Sequence, residues 1–143
     1  MHMKKSIGVM LGSILLLSII AGGIFWMRIK NAPQPQGIPD TLILEQPIAG
    51  TIVTSPLRVT GSARGTWYFE ASFPVRLLDV DHKEIAVTPA QAQGEWMTEE
   101  FVPFEATLTF DKPSTSTGFL VIEKDNPSGL PENDKKLELP IMF

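Results

Sequence analysis

Short segments in which apolar and polar residues alternate are the feature that most constrains the fold. The clearest covers residues 101–110, where every second position is apolar: Val102, Phe104, Ala106, Leu108 and Phe110. An alternation with a period of two is typical of a strand that buries one face. Segments beginning at Leu57 and at Leu137 alternate in the same way. Because no stretch from residue 41 onward has the period of an amphipathic helix, the pattern predicts an all-β domain.

About seven short strands are predicted, separated by residues that favour turns. They lie at residues 41–45, 57–62, 67–79, 84–87, 101–110, 119–123 and 137–143, with a shorter extended piece at 51–53. Pro74 is interpreted as a bulge within its strand, and Pro140 places the last strand at a sheet edge or a bulge, because proline has no N–H to donate. This series is typical of an immunoglobulin-like Greek-key β-sandwich.

The densest aromatic cluster follows a predicted tight turn at residues 63–66 and is expected to form the central strand. It consists of Trp67, Tyr68, Phe69 and Phe73. Aromatic residues suit the pleated, half-buried surface of such a strand. Two charged residues, Arg64 and Glu70, lie in this otherwise apolar stretch. Two readings are open: a structural one, which we favour, in which an ion pair or an arginine that bonds loop carbonyl groups fixes the turn, and one in which the two residues contact a ligand.

Residues 1–30 are predicted to be a membrane anchor. Residues 7–27 form a run of 21 without a charged side chain, and a helix of that length spans roughly 30 Å, the thickness of the hydrocarbon core. Basic residues flank the run on both sides, and Trp26 lies where an interfacial side chain is expected. The small residues at 21–23 also suit cleavage of a signal peptide. We favour the anchor because the apolar run continues to Met27.

A linker at residues 31–40 separates this segment from the domain at residues 41–143. Three prolines in ten residues favour an extended linker. The flanking charges place the N-terminus in the cytoplasm, so the domain is expected to be extracytoplasmic in a bacterial envelope. From residue 31 onward the chain carries 16 acidic and 8 of its 12 basic side chains, a net charge of −8. This charge disfavours nucleic acid as a partner and holds the domain away from anionic lipid.

Catalysis and metal binding have little support in the residues present. The chain has no cysteine, and His82 is the one histidine after the anchor, so a zinc site would depend on carboxylates. Asp79 and Asp81 are interpreted as turn residues that bond their own backbone, because a calcium loop needs more ligands and a glycine. Without a nucleophile motif or a phosphate-binding glycine loop, we expect neither an enzyme nor a cofactor.

Three loops are predicted to meet at one end of the sandwich, since alternate loops gather at the same end. They are the turn at residues 63–66 and the loops at 88–100 and 125–136. Trp67 is expected to be part of the core, whereas Trp96 is expected to be exposed for docking. The first strand also begins at this end. The candidate binding residues are Arg64, Trp67, Glu70, Trp96, Asp125 and Asn126.

Four blocks of sequence resemble the immunoglobulin-like domain of bacterial spore germination proteins, also called the second GerM-associated domain. The blocks are residues 61–75, 95–98, 101–104 and 125–132, and the resemblance covers about residues 43–143. His82 stands where the Asp-x-Asp-Gly turn of the family carries glycine, and we expect His82 to avoid a positive φ. The resemblance implies a non-enzymatic surface domain and names no ligand.

These observations predict a membrane-anchored, extracytoplasmic binding or accessory module of the bacterial envelope. Its partner would be another envelope protein or a cell-wall glycan. The alternative is a structural spacer or accessory subunit without a ligand site. An exposed patch of Arg64, Trp67 and Trp96 would favour binding, and full burial of all three would favour the spacer.

Overall fold

The computed structural model describes residues 39–143, so the predicted anchor and most of the predicted linker lie outside the described residues. The domain contains seven β-strands and two short 3₁₀ helices, Gly65–Trp67 and Pro131–Asn133. The strands are β1 (Leu42–Gln46), β2 (Leu57–Arg64), β3 (Ser72–Asp79), β4 (Glu84–Ala92), β5 (Phe101–Leu108), β6 (Thr117–Glu123) and β7 (Lys136–Met142). Within residues 39–143, no helix has the length and apolar character needed to cross a membrane.

The seven strands form one antiparallel sheet in the order β1-β2-β5-β4-β3-β6-β7. The chain after β1 reaches the far edge of this sheet, where Gly50 and Val53 donate backbone hydrogen bonds to Pro140 and Met142 of β7. A flat sheet would keep these two edges apart, so the sheet curls around a common core. The predicted all-β domain with seven strands is confirmed.

Strand β4 connects the two halves of the curled sheet. It pairs with β3 over most of its length, and near its end Gln91 and Ala92 pair with Glu105 and Phe104 of β5. The two halves are therefore continuous through β4, whereas a sandwich consists of two separate sheets.

The inward side chains of the strands form the core. In β5 the four alternating apolar residues from Val102 to Leu108 are all buried, as predicted. The ring of Phe104 meets that of Phe73 edge-on, with 5.0 Å between the ring centroids. On the outer face, Arg58 donates two hydrogen bonds to the carboxylate of Glu105, at 2.9 and 2.8 Å, and these bonds lower the pKa of Glu105. The alternation read from the sequence thus separates core from surface correctly.

The aromatic stretch is not the continuous strand that was predicted. Trp67 ends a 3₁₀ helix that begins at Gly65, and β3 begins only at Ser72. Between them, Glu70 and Ala71 have φ values of 50° and 64° and form a two-residue turn closed by two backbone hydrogen bonds. Two consecutive positive φ values are typical of the tightest hairpin turns. The chain therefore reverses inside the stretch that aromatic propensity marked as extended.

Two further predictions about β3 and β4 are wrong. Pro74 lies in register opposite Pro89 and forms no bulge; the irregularity falls between Leu77 and Leu78. Since neither proline can donate, the two fit opposite each other at a pair without backbone hydrogen bonds. β4 continues to Ala92, so the loop predicted to begin at residue 88 begins at residue 93.

The turn between β3 and β4 confirms the role predicted for Asp79. Its Oδ1 accepts hydrogen bonds from the backbone N–H groups of Asp81 and Lys83, both at 2.9 Å. His82 has a φ of 60°, so the expectation that it would avoid a positive φ is wrong. Its ring stacks on Phe119 with 4.5 Å between the centroids. This contact and the Asp79 hydrogen bonds offset the cost of the left-handed conformation.

Candidate functional site

The three loops predicted to meet at one end of the domain do so. The N–H of Gly65 donates to the carbonyl oxygen of Glu100, and the N–H of Asp125 donates to that of Trp67, both at 3.0 Å. These two bonds join the turn after β2 to the loops that follow β4 and β6. We call the surface formed by the three loops the loop end; it comprises residues 64–71, 93–100 and 124–135.

Gly65 is the point of closest approach between the first two loops. A Cβ atom at this position would overlap the carbonyl oxygens of Thr98 and Trp96. Both obstacles are backbone atoms, which a rotamer change cannot move aside. The close packing of the turn against the loop at residues 93–100 therefore requires glycine at position 65, a requirement that was not predicted from the sequence.

Trp67 joins three segments of the chain. Its side chain lies in the core and is 0% exposed. Its indole Nε1 donates to the Oγ1 of Thr41 at 2.9 Å, just before β1. Its carbonyl oxygen accepts the hydrogen bond from Asp125. The prediction that Trp67 belongs to the core is confirmed, and its ring is not available for contact with a ligand.

Arg64 holds the loop at residues 93–100 against the end of β2. Its Nη1 donates to the carbonyl oxygen of Glu99 at 3.2 Å, and its guanidinium lies 4.2 Å from the centroid of the Phe101 ring. A longer ion pair joins it to Glu100 at 3.7 Å. Among the described residues Arg64 forms no ion pair with Glu70, so that pairing is wrong, whereas the other structural prediction, an arginine that bonds loop carbonyl groups, is confirmed. Glu70 is instead exposed at the tip of the hairpin turn before β3.

Asn126 shapes the loop between β6 and β7. Its Nδ2 donates to the carbonyl oxygen of Leu130 at 2.9 Å and to Oδ1 of Asp134 at 2.6 Å. Ser128 donates its hydroxyl to the Oδ1 of the same amide. The amide of Asn126 is therefore occupied within its own loop, while its neighbour Asp125 ties that loop to Trp67.

The exposed apolar side chains of the loop end are not the ones predicted. Trp96 is half-buried and packs against the core, so the expectation that it would be exposed is wrong. Its neighbour Met97 is 75% exposed instead, and Phe69 and Leu130 are 44% and 50% exposed. Each of the three loops thus presents one large apolar side chain to solvent. The sequence offered little signal for this, because strand propensity placed Phe69 within the predicted central strand rather than in a loop.

Acidic side chains surround these apolar residues. The three segments of the loop end carry seven acidic and three basic residues. Of the basic ones, Arg64 is directed to the backbone of Glu99, and Lys124 donates to the carbonyl oxygen of Asn133 at 3.4 Å. The loop end is therefore an acidic surface with exposed apolar side chains, built on a rigid scaffold.

Concavities lie at both ends of the described part of the domain. The one beside the loop end has a volume of about 460 Å³ and a charged lining: Glu123, Lys124, Asp134, Lys135 and Lys136. The other, of about 370 Å³, lies at the opposite end and has a largely apolar lining that includes Ile52, Phe110 and Phe143. Within residues 39–143, no three histidine, cysteine, aspartate or glutamate side chains are grouped so as to hold a metal ion.

Seven antiparallel strands curled around one core, with three loops gathered at one end, define an immunoglobulin-like domain. Comparison with protein-family models matches residues 42–130 to the immunoglobulin-like domain of bacterial spore germination. The chain belongs to this family, and the resemblance drawn from the four sequence blocks is confirmed. No curated protein and no solved structure matches the chain.

Proposed function

We propose that the chain is a membrane-anchored, extracytoplasmic binding module of the bacterial envelope and that the loop end is its docking surface. The observation that carries the proposal is the convergence of three loops, each with one exposed apolar side chain: Phe69, Met97 and Leu130. Exposed apolar side chains contribute little to the stability of a free domain, and their burial is favourable when a partner covers them. The partner is an envelope protein or a cell-wall glycan, and the proposal includes neither catalysis nor a cofactor.

The geometry around Thr41 supports a position of the docking surface close to the membrane. Thr41 precedes β1 and lies beside the loop end, where its carbonyl oxygen accepts a hydrogen bond from the N–H of Arg64 at 3.0 Å. In the proposal, the linker at residues 31–40 enters the domain here from an anchor at residues 7–27.

The proposal also extends to the fold. The two halves of the curled sheet correspond to the two layers of an immunoglobulin-like Greek-key sandwich.

The anchor can be tested directly in cell fractions. We expect the full chain to stay in the membrane through carbonate and high-salt washes, because about 21 apolar residues bury enough surface to resist both. Protease added outside the cell should digest residues 40–143. Recovery of a soluble form that begins near residue 24 would contradict the anchor and establish a cleaved signal peptide.

A spacer without a ligand site is the second candidate, and the side chains of the predicted site support it. Trp67 is fully buried, and the donor groups of Arg64 and Asn126 are used inside the domain. Three of the residues proposed from the sequence thus stabilise the loop end itself. The two candidates differ in what they predict for the exposed Met97, since a spacer has no use for its side chain.

A pull-down from native membranes distinguishes the two. The full chain, lightly crosslinked before extraction, should retain a partner that is lost in Met97→Asp, because the substitution places a charge at the centre of the docking surface. Ile48→Asp is the matched control, since Ile48 is 68% exposed but lies outside the loop end. Equal recovery from both variants, or no partner from the unaltered chain, would favour the spacer.

A further inference from the structure

We infer that the partner of the loop end is a protein with a basic, apolar-lined face, and that the contact is centred on Met97. This inference rests on the proposed binding function and goes further, because it chooses between the protein and the glycan. Three observations carry it: the chemistry of the exposed side chains, the internal use of the polar donors, and the sign of the surrounding charge.

The exposed side chains suit a protein surface. Met97 is unbranched and 75% exposed, and methionine adapts its shape to an apolar pocket and is common at protein-binding surfaces. Glycan recognition relies instead on an aromatic face with polar groups beside it. Trp96 is half-buried against the core, and Phe69, the exposed aromatic ring of the loop end, is 44% exposed and has no polar group of its own.

The side-chain donors of three residues predicted to bind a ligand are already occupied. The indole of Trp67 donates to Thr41, the guanidinium of Arg64 donates to Glu99, and the amide of Asn126 donates to Leu130 and Asp134. A glycan that used these three side chains as donors would have to break these bonds, and with them contacts that hold the three loops together. An apolar contact with a protein leaves them all in place.

The charge of the loop end selects the kind of protein. Seven acidic against three basic residues give the three segments a net negative charge. A second copy of the chain would bring two such surfaces together, and anionic lipid or an anionic glycopolymer would be repelled in the same way. A basic face is the complement, with an apolar pocket that receives the side chain of Met97.

Site-specific photocrosslinking in intact cells of the source organism tests the inference with the full chain. Benzoylphenylalanine placed at position 97 should form a discrete adduct, and mass spectrometry should place the linked peptide beside lysine or arginine residues of another protein. Position 87 is the control, because Val87 is 49% exposed on β4, outside the loop end. It should form no such adduct.

Charge reversal is the second part of the photocrosslinking test. The double variant Glu99→Lys with Glu132→Lys should reduce the adduct at position 97 about tenfold, since each reversed charge opposes a basic face. Glu45→Lys with Asp81→Lys makes the same change in net charge on exposed side chains outside the loop end and should leave the yield unchanged. Equal circular dichroism spectra of the two variants would establish that both fold.

The outcomes separate this inference from the proposed function. A glycan or lipid adduct, an adduct between two copies of the chain, or a yield insensitive to charge reversal would overturn the basic protein partner and leave a binding role standing. Absence of any adduct from positions 69, 97 and 130 would overturn both.

Discussion

Replacing Phe104 with alanine should lower the free energy of unfolding by about 3–5 kcal/mol, the range observed when a fully buried aromatic side chain is removed. Phe104 lies at the centre of β5, is 2% exposed, and meets the ring of Phe73 edge-on at 5.0 Å. The substitution removes both the buried apolar surface and this aromatic contact, and the surrounding strands cannot close the cavity fully.

The measurement is urea unfolding of residues 40–143, followed by tryptophan fluorescence. Thr107→Ala is the matched control, because Thr107 belongs to the same strand and faces solvent; its effect should stay within about 0.5 kcal/mol. A cost near zero for Phe104→Ala would place this face of β5 outside the core and contradict the fold described above.

Gly65→Ala should be the most damaging substitution at the loop end, with a loss of about 3 kcal/mol in the free energy of unfolding, at the upper end of the cost of overpacking. The new Cβ would collide with the carbonyl oxygens of Thr98 and Trp96. The loop at residues 93–100 must then move away, and the hydrogen bond from Gly65 to Glu100 is lost with it.

Hydrogen exchange locates this effect as well as measuring it. Backbone amides at residues 96–100 should exchange faster in Gly65→Ala. The exchange rates of amides in the centre of β6 should change only as much as the global stability of the domain requires. Thr66→Ala is the control, since the neighbouring Thr66 is exposed. If both variants were as stable as the unaltered chain, the close approach at Gly65 would be wrong.

The strands with a clear period of two could be predicted from the sequence, because a strand that buries one face has an apolar residue at every second position. β5 and β7 are examples, and the edge position indicated by Pro140 is also correct. The convergence of the three loops could be predicted for a related reason, since antiparallel strands alternate direction and so alternate the end at which each loop lies.

The stretch from Gly65 to Ser72 could not be predicted, because contacts distant in the sequence decide its shape. Its aromatic residues favour a strand locally, but the approach of residues 96–100 to Gly65 imposes a 3₁₀ turn. The same limitation applies to Arg64. Its partner, the carbonyl oxygen of Glu99, is 35 positions away and is one of many acceptors that the sequence offers equally.

The residues 50–53 that follow β1 protect the far edge of the sheet. A free β-strand edge offers its backbone groups to any other extended chain, and this is a common first step of aggregation. Here Gly50 and Val53 donate to Pro140 and Met142 of β7, and Met142 donates to Thr51, so the end of that strand is covered within the molecule. Among the described residues β1 is the other edge of the sheet, and its pairing with β2 shifts register between Leu44 and Gln46. An irregular strand of five residues is a poor template for strand addition, so the domain can be concentrated with little risk of cross-β association.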